Sequence, residues 1–231
     1  MKTVCIIPAR GGSKRIPRKN IKLFRGKPLI SWTIDLAIKS NCFDKIIVST
    51  DDKEIAEISV LAGAEVPFLR PLNLSDDFTS SMDVMRYMVK NLKKDYTKLK
   101  NICCIYATAP LTSSKDINKS FETYIKLNNN QIVFGATTFD YPIQRAITLD
   151  QNNNSSILNK NYLNSRSQDL KDTYHDAGQF YWGSIKAWLK TESILHGGRA
   201  FLVPRWRVQD IDMLEDWERA EQIHEILEAN H

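Results

Sequence analysis

At 231 residues, with 42% hydrophobic and 10% aromatic side chains, the chain is long enough to enclose a sizeable core in one large domain, residues 1 to 231, which excludes a disordered polypeptide. Nowhere do about 18 apolar residues follow one another, and the apolar run in "MKTVCIIPAR" is too short for a signal-peptide core, so a cytoplasmic protein with no membrane attachment is expected. The net charge of +5 is concentrated: nine Lys and Arg precede Asp35 with no acidic residue among them, leaving 23 basic against 27 acidic side chains in the remainder.

In chain order, "TVCIIPA" reads as a strand, and the loop "ARGGSKRIPRKN" carries most of the early charge. "PLISWTIDLAIKS" has helical spacing, "KIIVST" reads as a strand, "DDKEIAEISVLAG" as a helix and "EVPFL" as a third strand. "SSMDVMRYMVKNL", "NICCIYA", "SKDINKSFETYIKLN" and "QIVFGATTF" continue the alternation. The strands are continuously apolar rather than alternating, which implies burial on both faces: an α/β fold with a mostly parallel, Rossmann-like sheet and helices on both sides. From 140 to 177 the chain turns polar, an excursion that is either a flexible loop or a small subdomain for dimer contact. "GQFYWG" and "SIKAWLKTESIL" then resume a strand and a helix, and "MLEDWERAEQIHEILEAN" puts Met213, Leu214, Trp217, Ala220, Ile223 and Leu227 on one stripe. Cys5, Cys42, Cys103 and Cys104 lack metal-ligand spacing and sit beside apolar residues, which predicts free thiols.

A nucleic-acid binder spreads its basic residues along a face and interleaves aromatics. Here the excess sits in one loop at the carboxyl end of the first strand, where α/β sheets collect ligands, and a compact polyanion such as a nucleoside triphosphate fits better. Gly11 and Gly12 are expected to allow positive φ, turning backbone N–H groups into an anion nest, and Lys14, Arg15, Arg18 and Lys19 are expected to converge on the ligand. Neither G-x-x-x-x-G-K-[ST] nor G-x-G-x-x-G is present.

"ARGGSKRIPRKN", followed in order by "GKPLISWTI", "IIVSTDD", "FLRP", "TSS" and "DID", resembles the CMP-sugar synthetases, the cytidylyltransferases that activate sialic-type acids. "SRSQDL" and "HDAGQFYWG" are similar to the pseudaminic acid group within that family; "LSDDF" is one residue longer than the family pattern. The resemblance implies that CTP and a nonulosonic acid give a CMP-sugar and pyrophosphate. It further implies Mg2+, a homodimer formed through the excursion, and surface or flagellar glycans as the product's destination. It assigns the triphosphate to Arg10, Lys19 and Asn20, with backbone help from Gly11, Gly12 and Ser13, and the cytosine to Arg70 and Ser81. Ser80 or Ser81 could equally cap the next helix.

Asp210 and Asp212 are the metal candidates: in extended chain, residues two apart share a face, and Mg2+ takes one or two carboxylates beside phosphate oxygens and waters. The alternative for Asp212 is a helix N-cap with Glu215 as capping-box partner. The resemblance places Tyr106, Arg166, Gln168, His175 and Gln179 at the sugar, with Arg166 on its carboxylate and some of Phe180, Tyr181 and Trp182 as an apolar wall. N-acetylneuraminic or legionaminic acid is the alternative sugar. A nucleotide-binding regulatory module without turnover is the alternative of another class.

Overall fold

The computed structural model describes residues 2 to 127 and 131 to 229. Asn128 and Asn230, at the ends of the expected fourth and last helices, and the terminal residues Met1 and His231 lie outside the described residues.

The chain runs β1 (Thr3–Pro8), β2 (Leu23–Phe24), β3 (Lys27–Pro28), α1 (Leu29–Ser40), β4 (Lys45–Ser49), α2 (Lys53–Leu61), α3 (Ser81–Asp95), β5 (Asn101–Ile105), α4 (Ser114–Lys126) and β6 (Val133–Thr138). It continues through β7 (Ile147–Leu149), β8 (Ser155–Ile157), β9 (Tyr174–Ser184), α5 (Ile185–Lys190), β10 (Arg199–Leu202) and α6 (Leu214–Ala229). Six strands form the main sheet in the order β10-β6-β9-β5-β1-β4. All neighbours pair in parallel except β9, which runs antiparallel between β5 and β6.

The strand pattern explains the layers. In β1, Cys5 and Ile7 face a core shared with Ile30 and Ile34 of α1, Ile55 of α2 and Ile117 and Tyr124 of α4. Val4 and Ile6 face the other way, onto Val84, Met85, Met88 and Leu92 of α3 and Trp188 of α5. A strand buried on both sides must be apolar throughout, as the sequence predicts. The adjacent thiols of Cys103 and Cys104 likewise enter opposite layers, and all four cysteines are free.

Three elements differ from expectation. "EVPFL" makes only a single bridge, Ile47 to Glu65, because Pro67 has no N–H to continue a ladder. The excursion is shorter than 140 to 177: Tyr174 to Ala177 already belong to β9, while β7 and β8 pair as a separate antiparallel ribbon. In α6 the buried stripe is Trp217, Ala220 and His224, packed with Ile16, Phe24 and Trp32, whereas Met213 and Leu214 are exposed.

The parallel strands deliver the segments after β1, β4, β5 and β6 to one end of the sheet. The antiparallel sense of β9 brings its first residues, His175 and Asp176, to that same end.

Candidate active site

At that end the loop after β1 closes a cavity of about 350 Å³ lined by Arg10, Ser13, Lys14, Arg15, Lys19, Asn20, Arg70, Ser81, Tyr106, Asp210 and Asp212. A second cavity of about 640 Å³ adjoins it, walled by Thr137, Thr138, His175, Asp176, Tyr181, Arg205, Trp206 and Arg219. Tyr106 and Asp210 line both cavities, so they mark the boundary between them.

The basic loop is built on internal carboxylates. Asp52 caps α2 by accepting from Ile55 N–H at 3.0 Å, and Arg18 grips the same carboxylate while reaching Glu54. Arg18 holds its carboxylate partner below the usual range, through hydrogen bonds that outweigh burial. Arg18 thus turns away from the cavity and sits in the left-handed region at φ 56°; it is a structural residue rather than one of the converging cations. Asn20 is buried and donates to Arg10 O at 2.9 Å, fixing the backbone that presents Arg10.

Gly11 and Gly12 do not form the expected nest. Neither has positive φ, neither lines the cavity, and Gly11 N–H donates to Asp51 Oδ1 at 3.1 Å. Glycine at 11 has a different cause: an added Cβ would lie 2.8 Å from Asp52 Oδ2.

The remaining cations meet carboxylates inside the cavity. Arg10 Nη1 donates to Asp77 Oδ1 and Asp76 O, each at 2.8 Å, and Lys14 pairs with Asp77. Arg15 lies 2.8 Å and Lys19 Nζ 3.4 Å from Asp212 Oδ1, and Lys19 also donates to Ile211 O. Asp76 and Asp77 come from the "LSDDF" segment, and nothing local in the sequence pointed to their contact with Arg10 and Lys14.

Arg70 is buried between Asp51, 3.6 Å from its Nη2, and Ser75, which accepts from Nε at 3.1 Å. Its N–H donates to Thr50 O at 2.7 Å, replacing the missing strand as its anchor. The two adjacent serines divide their roles: Ser80 caps α3 by accepting from Asp83 N–H, and Ser81 accepts from Tyr106 Oη at 3.0 Å while facing the cavity. Burial pushes the Tyr106 hydroxyl up to about 12, so it remains a proton donor at neutral pH.

Asp210 and Asp212 flank buried Ile211 and face the smaller cavity together. The expected Glu215 cap does not form. Asp216 instead accepts from the Asp212 and Met213 N–H groups at 3.0 and 2.8 Å, leaving the Asp212 carboxylate to the cavity. Burial, and then the nearby Asp212 charge, raise the Asp210 carboxyl above its ordinary value. A like-charged pair of this kind is relieved by a cation. Among the described residues no group of three or more His, Cys, Asp or Glu could hold a metal alone, so the pair suits an ion that completes its shell with phosphate and water.

At the larger cavity the sequence expectations divide. Tyr106 and His175 line it, the His175 ring lying against Phe139 at 4.8 Å. Gln179 does not: it is buried and donates to Arg207 O at 2.8 Å, tying β9 to the 205–207 turn. Arg166 and Gln168 lie in an exposed turn of the excursion, and Arg166 pairs with Asp169 at 2.7 Å. Phe180 and Trp182 are fully buried core, so of these three only Tyr181 joins Tyr106 and Trp206 as an aromatic wall of the cavity. Gly178, at φ 62°, bends β9 so that Asp176 accepts from both Gly178 N–H and Tyr181 Oη.

The cytidylyltransferase family profile matches residues 4 to 202. A pseudaminic acid cytidylyltransferase of Campylobacter jejuni subsp. jejuni serotype O:2 is 46% identical, covering 98% of this chain and 97% of that protein. N-acylneuraminate cytidylyltransferase A of Danio rerio is 33% identical over 94% of this chain and 49% of its own length. Among solved structures, a CMP:2-keto-3-deoxy-manno-octonic acid synthetase complexed with CTP superposes over 100% of both chains with a TM-score of 0.72 at 15% identity, a likeness of fold.

Proposed function

We propose, for a chain that belongs to the cytidylyltransferase family, that it transfers CMP from CTP to the anomeric hydroxyl of pseudaminic acid, releasing pyrophosphate. The observation that carries this reading is the pair of adjoining cavities meeting at Tyr106 and Asp210. One is cationic and sized for a nucleotide; the other is larger, polar and partly walled by an aromatic ring. The 46% identity to a pseudaminic acid cytidylyltransferase supports the choice of sugar.

The chemistry follows from the residues. Arg70 offers a buried guanidinium fork to the cytosine carbonyl and ring nitrogen, and Ser81 offers a hydroxyl beside it. Arg10 and Lys14 receive the outer phosphates. Lys19, held by Ile211 O, sits beside the carboxylate pair where charge accumulates on the α-phosphate oxygens during in-line attack. Asp210 and Asp212 would hold Mg2+, which when bound draws charge from the triphosphate and eases departure of pyrophosphate. The sugar lies across Tyr106 with its hydroxyl directed at phosphorus, and the rate gain comes from holding the reactants in line.

A homodimer through the ribbon segment belongs to the same proposal, supported by exposed Tyr141, Ile147, Leu149, Leu158 and Leu163; light scattering showing only monomer would contradict it. A cytoplasmic setting is likewise proposed, supported by four free thiols. Among the described residues no helix is long and apolar enough to cross a membrane.

Phosphorus NMR tests the reaction. Incubation with Mg2+, CTP and pseudaminic acid should convert the triphosphate signals to a phosphodiester and pyrophosphate in equal amounts. Equal conversion of UTP or ATP would contradict the role given to Arg70.

A further inference from the structure

Neither carboxylate of the Asp210 and Asp212 pair lies on a strand or a helix. Residues 203 to 213 run from β10 to α6 as a strap, and both of its ends are fastened. At the start, Val203 N–H donates to Ala136 O at 2.9 Å and Val203 O accepts from Thr137 Oγ1 at 3.0 Å. At the finish, Ile211 is fully buried and Asp216 holds the Asp212 and Met213 N–H groups. Arg207 fixes the middle. Its guanidinium crosses to α4, where Nη1 and Nη2 donate to Asp116 Oδ2 and Oδ1 at 2.5 and 3.2 Å. Its carbonyl accepts from Gln179 of β9 at 2.8 Å.

The acceptor is itself held in place. Asp116 sits in the first turn of α4, takes the Ser113 hydroxyl at 2.6 Å and completes a capping box with it. The two side chains of the pair are only 14% and 12% exposed, and neither residue lines a cavity, which keeps both away from the reactants. A buried ion pair is poor evidence of stability, because desolvation offsets its attraction. What a bidentate fork does supply is a fixed position. Only Val208 and Gln209 separate Arg207 from Asp210, a reach of at most about 10 Å. A shift at Arg207 therefore passes to Asp210, whereas Asp212 is held from the α6 side.

We propose that Arg207, clamped by Asp116, is a positioning residue for the metal site: it holds Asp210 where its carboxylate can share one cation with Asp212. The inference rests on the reading of Asp210 and Asp212 as ligands of Mg2+. Loss of the clamp takes one ligand out of place and leaves the other. Arg70 and Ser81, given to the cytosine, are carried by the segment after α2 and by α3, so the base site stays as it was.

The test uses Mn2+ as the probe, with CTP present and no sugar acid, and water proton relaxation reporting the ion held by the full chain. Arg207→Met should weaken Mn2+ binding roughly five- to tenfold, approaching the loss seen when outer partners of metal ligands are removed. Calorimetry should show metal-free CTP affinity unchanged. Arg207→Lys, which keeps the charge without the fork, should recover only part of the loss. In an Asp210→Asn background Arg207→Met should add nothing, because both changes act through the same ligand. Thermal unfolding separates positioning from stability. Arg207→Met leaves Asp116 buried and unpaired, whereas Asp116→Asn/Arg207→Met removes both charges and should regain thermal stability while Mn2+ binding stays weak. Mn2+ binding unchanged in Arg207→Met, or restored along with stability in the double variant, would overturn the assignment. Failure of the unsubstituted chain to hold Mn2+ would overturn the carboxylate pair as a metal site together with it. Absence of turnover with any nonulosonic acid, with Mn2+ binding as expected, would overturn the proposed function alone.

Discussion

The guanidinium of Arg10 lies 2.8 Å from the carboxylate of Asp77 inside the smaller cavity, and the same carboxylate holds Lys14. One carboxylate thus engages two cations suited to a triphosphate and cancels half of their combined charge. Asp76 makes the segment a firm turn by accepting from Phe78 N–H and from the N–H and hydroxyl of Thr79. Under the proposed function, the triphosphate has to displace Asp77 before it can engage both cations fully.

Asp77→Asn should accordingly tighten CTP binding roughly two- to fivefold at low salt, since the competing pair is partly exposed and screened. The advantage should shrink as salt rises. Calorimetric titration with CTP measures it directly, and an unchanged or weaker affinity at low salt would contradict the competition.

The two loop glycines should behave differently. Gly11→Ala places Cβ 2.8 Å from an oxygen of Asp52 that Arg18 holds in place, whereas a Cβ at Gly12 meets nothing within 4 Å. Urea unfolding should show a loss of about 1–3 kcal/mol for Gly11→Ala and a change within about 0.5 kcal/mol for Gly12→Ala. Equal effects would remove the steric account of Gly11.

If Asp210 and Asp212 hold Mg2+ as proposed, the Asp210 carboxyl, raised first by burial and then by Asp212, gives that binding a sign with pH. As pH falls through that raised value, Asp210 takes up a proton and the pair loses half its charge. The Mg2+ concentration for half-maximal activity should therefore rise above the pH range of an ordinary carboxylate, near about 4. Asp212→Asn should move this acid limb to lower pH while weakening Mg2+ binding. A requirement that stays flat down to that range would count against the pair as ligands.

His224 makes a stability prediction. It is buried against Trp32 and Phe24, and burial lowers its pKa despite Glu228, 3.6 Å from Nδ1, on the next turn. The unfolded chain then binds the proton more readily than the folded one, so stability holds above about 6.5 and falls as pH drops toward the lowered value. Thermal unfolding from pH 7.5 to 5.5 should show this decline, and His224→Leu should flatten it. A decline of the same slope in the variant would assign it to other groups.

The layered sheet was legible because burial on both faces leaves an unambiguous mark: Val4 to Ile7 and Ile102 to Ile105 contain no polar interruption. The antiparallel sense of β9 has no such mark, since a doubly buried strand reads the same in either direction. The carboxylate pair was legible in "DID", because one apolar residue between two acids in extended chain puts both on one side. Its competing cap was misjudged by one position, Asp216 for Glu215, an offset that helix-start signals do not resolve. The loop cations were legible as a group but not individually. Nothing local distinguishes Arg18, spent on Asp52, from Arg10, since the partner lies 34 residues away.

The central claim is tested most directly by pyrophosphate release from CTP and Mg2+ with pseudaminic acid, N-acetylneuraminic acid and legionaminic acid supplied in parallel. Release dependent on pseudaminic acid, with the other two much slower, is the predicted result. Equal or faster release with N-acetylneuraminic or legionaminic acid would contradict the assignment of the sugar, and no release with any of the three would contradict the transfer reaction itself.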